Sequence, residues 1–197
     1  MDLEARTMEY ARASGFPAPA VEELREGGSE LVMEHLGGLS MLGALEKRPW
    51  RLRRYAAVLA DLQCRLNALP APSWLHPAPC GEGERLLHLD LHPLNVMMTA
   101  RGPVVIDWTN AAKGEPAVDV AVSWTLLAVG AIPGGRVKAA AIGLLRSALV
   151  SSYLSHFDLT EVRRRLCCAV EWKCRDPNMR PSEQRAMRDL AHRHGIE

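Results

Sequence analysis

The sequence predicts an α+β fold, with a small β-containing N-terminal piece followed by a mainly helical remainder. Three observations carry this. Two short runs, Val21 to Arg25 and Leu31 to His35, flank the turn-forming Glu26-Gly27-Gly28. A second pair, Val96 to Thr99 and Val104 to Ile106, flanks Ala100-Arg101-Gly102. Elsewhere apolar residues recur every three or four positions over long stretches, the period of a helix with one buried face.

Taken in order, Leu3 to Ser14 reads as a helix stopped by Gly15 and Pro17. The first hairpin follows, then a break at Gly37-Gly38. Ser40 is placed to cap a short helix that ends before Pro49. From Arg51 to Leu69 the spacing of Leu52, Tyr55, Leu59, Leu62, Leu66 and Leu69 predicts a strong amphipathic helix. Pro70 to Gly83, rich in proline and glycine, is a loop, and Arg85 to Leu89 is a short apolar strand. After the second hairpin the pattern is helical over Pro116–Val129, Val137–Tyr153, Thr160–Arg175 and Ser182–His192.

Composition narrows the class. A chain of 197 residues buries a core large enough to need no staple. A net charge of +1 and few aromatics argue against nucleic acid and against an anionic membrane. The apolar stretch Val120 to Val150 is interrupted by Gly130, Pro133, Gly134, Gly135, Arg136 and Lys138, which points to two buried helices and not a span. None of the five cysteines has the C-x-x-C spacing of a zinc site, and no signal peptide is expected. They read as reduced thiols of a cytoplasmic protein, with Cys167-Cys168 in helix packing. Arg163-Arg164-Arg165 reads as a solvated helix face, and Trp50, Trp74, Trp124 and Trp172 as core or edge packing.

The densest polar cluster is His88-Leu89-Asp90-Leu91-His92-Pro93-Leu94-Asn95, lying between two strands. Asp107 follows the apolar run Val104-Val105-Ile106, at a strand end. Asp90, Asn95 and Asp107 offer one candidate base and two hard oxygen ligands, the donor type magnesium prefers. Phosphoryl transfer needs that set, with a carboxylate for the hydroxyl proton and metal for the phosphate charge.

His88-x-Asp90-x-His92-Pro93-x-Asn95, then Val105-Ile106-Asp107-Trp108, then Gly114-Glu115-Pro116-Ala117-Val118-Asp119-Val120-Ala121, resembles the signature of the aminoglycoside phosphotransferase and choline kinase-like family. The resemblance implies a protein-kinase-like fold and a small-molecule kinase. It moves the γ-phosphate of ATP, or alternatively GTP, to a hydroxyl of a small molecule, with Mg2+. It makes Asp90 the catalytic base with His92 close to the chemistry. Asn95 and Asp107 become magnesium ligands, and His88 and Asp119 supports of the loop. Leu31 to Leu36 resembles the strand and hinge whose backbone meets adenine, at Glu34, His35 and Leu36, with side chains of little account. Glu4 resembles a glutamate that pairs with an upstream lysine. Asp176-Pro177-Asn178 resembles a tail of some bacterial members.

The resemblance divides the chain at residue 36. Residues 1–36 read as a remnant of the nucleotide-binding lobe, and 37–197 as the helical catalytic lobe. The family's glycine-rich phosphate loop and lysine would lie before Met1, so the chain as given is expected to bind ATP weakly and to be nearly inactive. The first hairpin is expected to keep an unpaired edge, and Met1 to Leu36 to be mobile or shielded by self-association. The family has glycine where Leu89 and Leu94 stand, so the loop is expected to avoid positive φ at both, with both side chains in apolar surroundings.

Two other readings compete. One is a catalytically inactive binding protein. The other is a metal-dependent hydrolase that uses His88, Asp90 and His92, which alternation on an extended segment would place on one face.

Overall fold

The helical and strand periods are realised close to their expected bounds in a computed structural model, which describes residues 2–28, 30–129 and 136–194. Helix α1 (Asp2–Ala13) leads into a hairpin of β1 (Val21–Arg25) and β2 (Glu30–Met33), joined by a short 3-10 turn, Glu26–Gly28. Gly27 and Gly28 turn the chain there at φ 66° and 95°, in the left-handed region open to glycine. The described strands of this sheet number two, and Leu24 on β1 is exposed. Helix α1 nevertheless docks: Met8 and Ala11 are fully buried in the same core as the helices that follow.

The next elements are β3 (Leu39–Ser40), α2 (Met41–Lys47) and α3 (Leu52–Ala68). Ser40 caps α2 as expected, its Oγ accepting from the Gly43 N–H at 3.1 Å. Strands β4 (Arg85–Leu87), β5 (Val96–Thr99), β6 (Gly102–Val105) and β7 (Ala112–Gly114) follow, then α4 (Pro116–Val129), α5 (Arg136–Leu154), α6 (Leu159–Lys173) and α7 (Pro181–Arg193). Helix α4 is sheathed on nearly all sides, from Ala117 to Thr125. The expected break between two buried helices falls mostly on residues 130–135, outside the described residues. No helix among the described residues is long and apolar enough to cross a membrane.

Two strands have no sequence signal. Strand β3 pairs with β5, and β7 pairs with β4, both antiparallel. Each is two or three residues long and exists only because its partner is adjacent. Gly38 marks the first approach: a Cβ there would sit 2.3 Å from the Met98 carbonyl oxygen. That contact draws the segment after β2 against the hairpin of β5 and β6.

The cysteine expectation is corrected. Cys80 and Cys168 form a disulfide across 88 residues of sequence, while Cys64, Cys167 and Cys174 remain thiols. The cause is tertiary. The Pro70–Gly83 loop returns past Glu115, whose carboxylate lies where a Cβ on Gly81 would collide, and Glu115 is itself paired with Arg165 of α6 at 2.7 Å. Arg165 is therefore partly buried, and only Arg163 and Arg164 keep the expected solvated face. Trp50 is 76% exposed and packs in no core, whereas Trp124 is buried.

Candidate active site

Strand β4 delivers the chain into the polar loop, and a single carboxylate holds it there. Asp119, fully buried in the first turn of α4, accepts from the backbone N–H of His88 at 3.0 Å and of Leu89 at 2.7 Å. It also accepts from Gln63 Nε2 at 2.7 Å and Asn67 Nδ2 at 2.9 Å, both on α3. Gln63 Oε1 in turn accepts from Ser123 Oγ and Tyr153 Oη, each at 3.0 Å. Burial at the centre of this network raises the Tyr153 phenol well above its ordinary range. Asp119 thus binds the two amides on which the loop turns.

That turn corrects the expectation for Leu89. Its φ is 58°, in the left-handed region that costs a branched residue about 1–2 kcal/mol. Two things offset the cost: the 2.7 Å bond from its N–H to Asp119, and a side chain buried in the core. Leu94 departs the other way, 53% exposed beside the site.

The left-handed turn also removes the geometry of the hydrolase reading, since alternation fails at Leu89. His88 points inward, its Nε2 donating to the Ile106 carbonyl at 3.2 Å and its ring 5.0 Å from Trp108. Its Nδ1 has no partner, and burial holds the imidazole below its ordinary pKa, hence neutral. His92 is likewise lowered by burial, and its Nδ1 accepts from the Leu94 N–H at 3.3 Å. No group of three His, Cys, Asp or Glu side chains among the described residues is arranged to hold a metal.

Asp90, Asn95 and Asp107 do converge. Pairing of Val96 with Val105 sets Asn95, just before β5, beside the exit of β6, and the Ile106 N–H donates to the Asn95 carbonyl at 3.0 Å. Asp107 stands next, exposed, at φ 65°. Its carboxylate has no hydrogen bond or ion pair among the described residues. Asn95 Nδ2 donates to the Asp90 carbonyl at 3.0 Å and to Asp90 Oδ2 at 3.3 Å. The amide nitrogen is thus spent on Asp90, and the amide oxygen is left as the metal-type donor.

The residue that sequence reasoning missed is Lys173. On the last turn of α6, 4% exposed, it donates from Nζ to Asp90 Oδ1 at 2.8 Å and lies 3.4 Å from Asp176 Oδ2. A signal was present: Val162, Leu166, Ala169 and Val170 form the buried stripe of α6, and Lys173 continues it. Asp176, read as part of a tail, is drawn into the site, its carboxyl lowered first by the Asn178 N–H and also by Lys173.

The N-terminal expectations are re-placed as well. Glu4 meets the Trp108 N–H at 3.3 Å, tying α1 to the residue after Asp107. The Pro17 carbonyl accepts from the Val105 N–H at 2.8 Å and anchors the same strand. The Glu34 side chain is engaged on two sides. It accepts from the Ala20 N–H at 2.9 Å, the main cause of its lowered pKa, and pairs with Arg101 and Arg12. It thereby clamps the first hairpin to the turn between β5 and β6. His35 is exposed and Leu36 partly buried, just before the Gly38 approach.

No curated protein matches the chain. The model of the phosphotransferase enzyme family (APH) matches residues 65–149, the stretch that holds Asp90, Asn95, Asp107 and Asp119. Over that stretch, where the strand β4, the hairpin β5–β6 and the buried Asp119 assemble one polar site, the chain is similar to the phosphotransferase enzyme family.

Proposed function

We propose that the protein is an ATP-dependent small-molecule kinase of the aminoglycoside phosphotransferase type, with GTP as an alternative donor. The observation that supports it most is the convergence of Asp90, Asn95 and Asp107 at the open end of the β5–β6 hairpin. In this reading the fold is protein-kinase-like. Residues 1–36 belong to the nucleotide lobe, with Glu34, His35 and Leu36 facing the adenine, and residues 37–197 form the catalytic lobe.

The donor set fits magnesium, because Asn95 has its amide oxygen to give and Asp107 an unengaged carboxylate. Bound there with the nucleotide phosphates, the ion would neutralise charge on the transferring group. Asp90 takes the proton of the acceptor hydroxyl. The acceptor oxygen forms a bond to the γ-phosphorus as the bond to the β–γ bridging oxygen breaks, leaving the diphosphate. His92 flanks Asp90 as a neutral ring, while His88 and Asp119 hold the loop. A cytoplasmic location goes with this reading, and there the Cys80–Cys168 bond stands against a reducing pool.

The test is calorimetric titration of ATP with and without magnesium. Magnesium should tighten binding in the wild-type chain; Asp107→Ala should abolish that gain, and Asn95→Ala should reduce it less. An Asp107→Ala protein with a normal magnesium effect removes the assignment. Comparing transfer by the 197-residue chain with that of a chain fused behind a related upstream lobe tests the expected near-inactivity of the short form.

A further inference from the structure

The ammonium of Lys173 is a buried charge in direct contact with the candidate base. A lysine is almost never fully buried unless paired, and this one has two carboxylates, Asp90 at 2.8 Å and Asp176 at 3.4 Å. Its place at the C-terminal end of α6 adds the favourable end of the helix dipole. Two features separate this arrangement from an ordinary ion pair.

The first is the charge count. Asp176, fixed by the Asn178 N–H at 2.9 Å, already compensates Lys173 from 3.4 Å. The group of three keeps one net negative charge, available at Asp90. The second is the way Asp90 is gripped. Lys173 takes Oδ1 at 2.8 Å, while Oδ2 has only the long 3.3 Å contact from Asn95. One oxygen is anchored and the other is left for a hydroxyl.

We infer that Lys173, braced by Asp176, is a positioning residue that anchors Oδ1 of Asp90 and presents Oδ2 to the acceptor hydroxyl. The inference rests on the phosphotransferase reading. The sequence separation of 83 between the partners means that α6 sets the angle of the base, although it contributes no atom to the transfer itself. A misplacement of about 1 Å at a reacting group costs on the order of 100-fold in rate, which sets the scale of the expected loss.

The experiment follows release of phosphate from magnesium-ATP, with water as the acceptor, in the full chain fused behind a related upstream lobe. Lys173→Met should lower kcat by about 10- to 100-fold with KM for ATP within about twofold. In an Asp90→Asn background the same substitution should add less than about twofold, because its effect runs through Asp90. Should Lys173→Met not fold, as judged by circular dichroism, Asp176→Asn carries the test. It leaves the Asp90 contact in place but weakens its brace, and should lower kcat about threefold to tenfold at unchanged KM. An unchanged kcat in Lys173→Met or Asp176→Asn, or an equal loss with and without Asp90, overturns the inference while leaving the kinase reading intact. A wild-type chain that neither binds nor turns over magnesium-ATP even when fused behind a related upstream lobe overturns both.

Discussion

Replacing Asp119 by alanine should come close to unfolding the protein, although the residue touches no substrate. Four N–H donors end on this carboxylate: two backbone amides, His88 and Leu89, and two side-chain amides, Gln63 and Asn67. A buried donor left without a partner costs about 1–3 kcal/mol. The two side-chain amides have some recourse, since Gln63 Nε2 already donates to Asn67 Oδ1 at 3.0 Å and Asn67 Nδ2 to the Leu86 carbonyl at 3.0 Å. The two backbone amides have none, and they belong to the left-handed turn at Leu89. Counting those two fully and the others lightly gives about 3–5 kcal/mol, a large part of the roughly 5–15 kcal/mol that holds a typical domain together. For a chain of this size that corresponds to a melting temperature lower by about 6–20 °C. Asp119→Asn keeps an oxygen for three donors but turns an NH2 toward the Leu89 N–H, and should cost about 2–3 kcal/mol. Urea unfolding of the three proteins measures both values. A loss below about 1 kcal/mol for Asp119→Ala would refute the claim that this carboxylate holds the loop.

At position 89 the usual order of helix and strand formers should invert: Leu89→Gly should be more stable than Leu89→Ala by about 1 kcal/mol, because both lose the buried side chain but only glycine escapes the left-handed penalty. Both should be less stable than wild type, and equal or reversed midpoints in urea would contradict the strain argument. In the active form fused behind a related upstream lobe, Asp90→Asn should lower turnover by roughly 100- to 10,000-fold with little change in nucleotide affinity; unchanged turnover removes Asp90 from the base role. Cys168→Ser opens a bond that closes a long loop and should cost about 2–4 kcal/mol. A Cys168→Ser protein as stable as the wild type under non-reducing conditions would show that the bond constrains little.

Much of the site was legible before any coordinates. Asp90, Asn95, Asp107 and Asp119 sit within one contiguous third of the chain; pairing of β5 with β6 sets Asn95 beside the strand end that leads to Asp107, and the Asn95 amide reaches Asp90. The helices were legible because burying one face imposes a period of three to four residues on the apolar positions. The short strands β3 and β7 left no such trace, since two or three residues cannot display a period and their pairing depends on distant partners.

What the sequence determined by itself is therefore the local chemistry: which residue types are offered, on which helix or hairpin, and in what order. Tertiary structure decided which distant side chain completes each local motif. Lys173 reaches Asp90 from 83 residues away, Cys80 finds Cys168 from 88, and Glu4 caps the Trp108 amide from 104. Leu89 adopts a backbone that its own side chain disfavours, because Asp119 and the core together outweigh the strain. The reason is the same in each case. Local preferences amount to about a kilocalorie per residue, whereas a buried charge or amide without its partner costs several. The fold settles where those groups are satisfied, and no local pattern records that place.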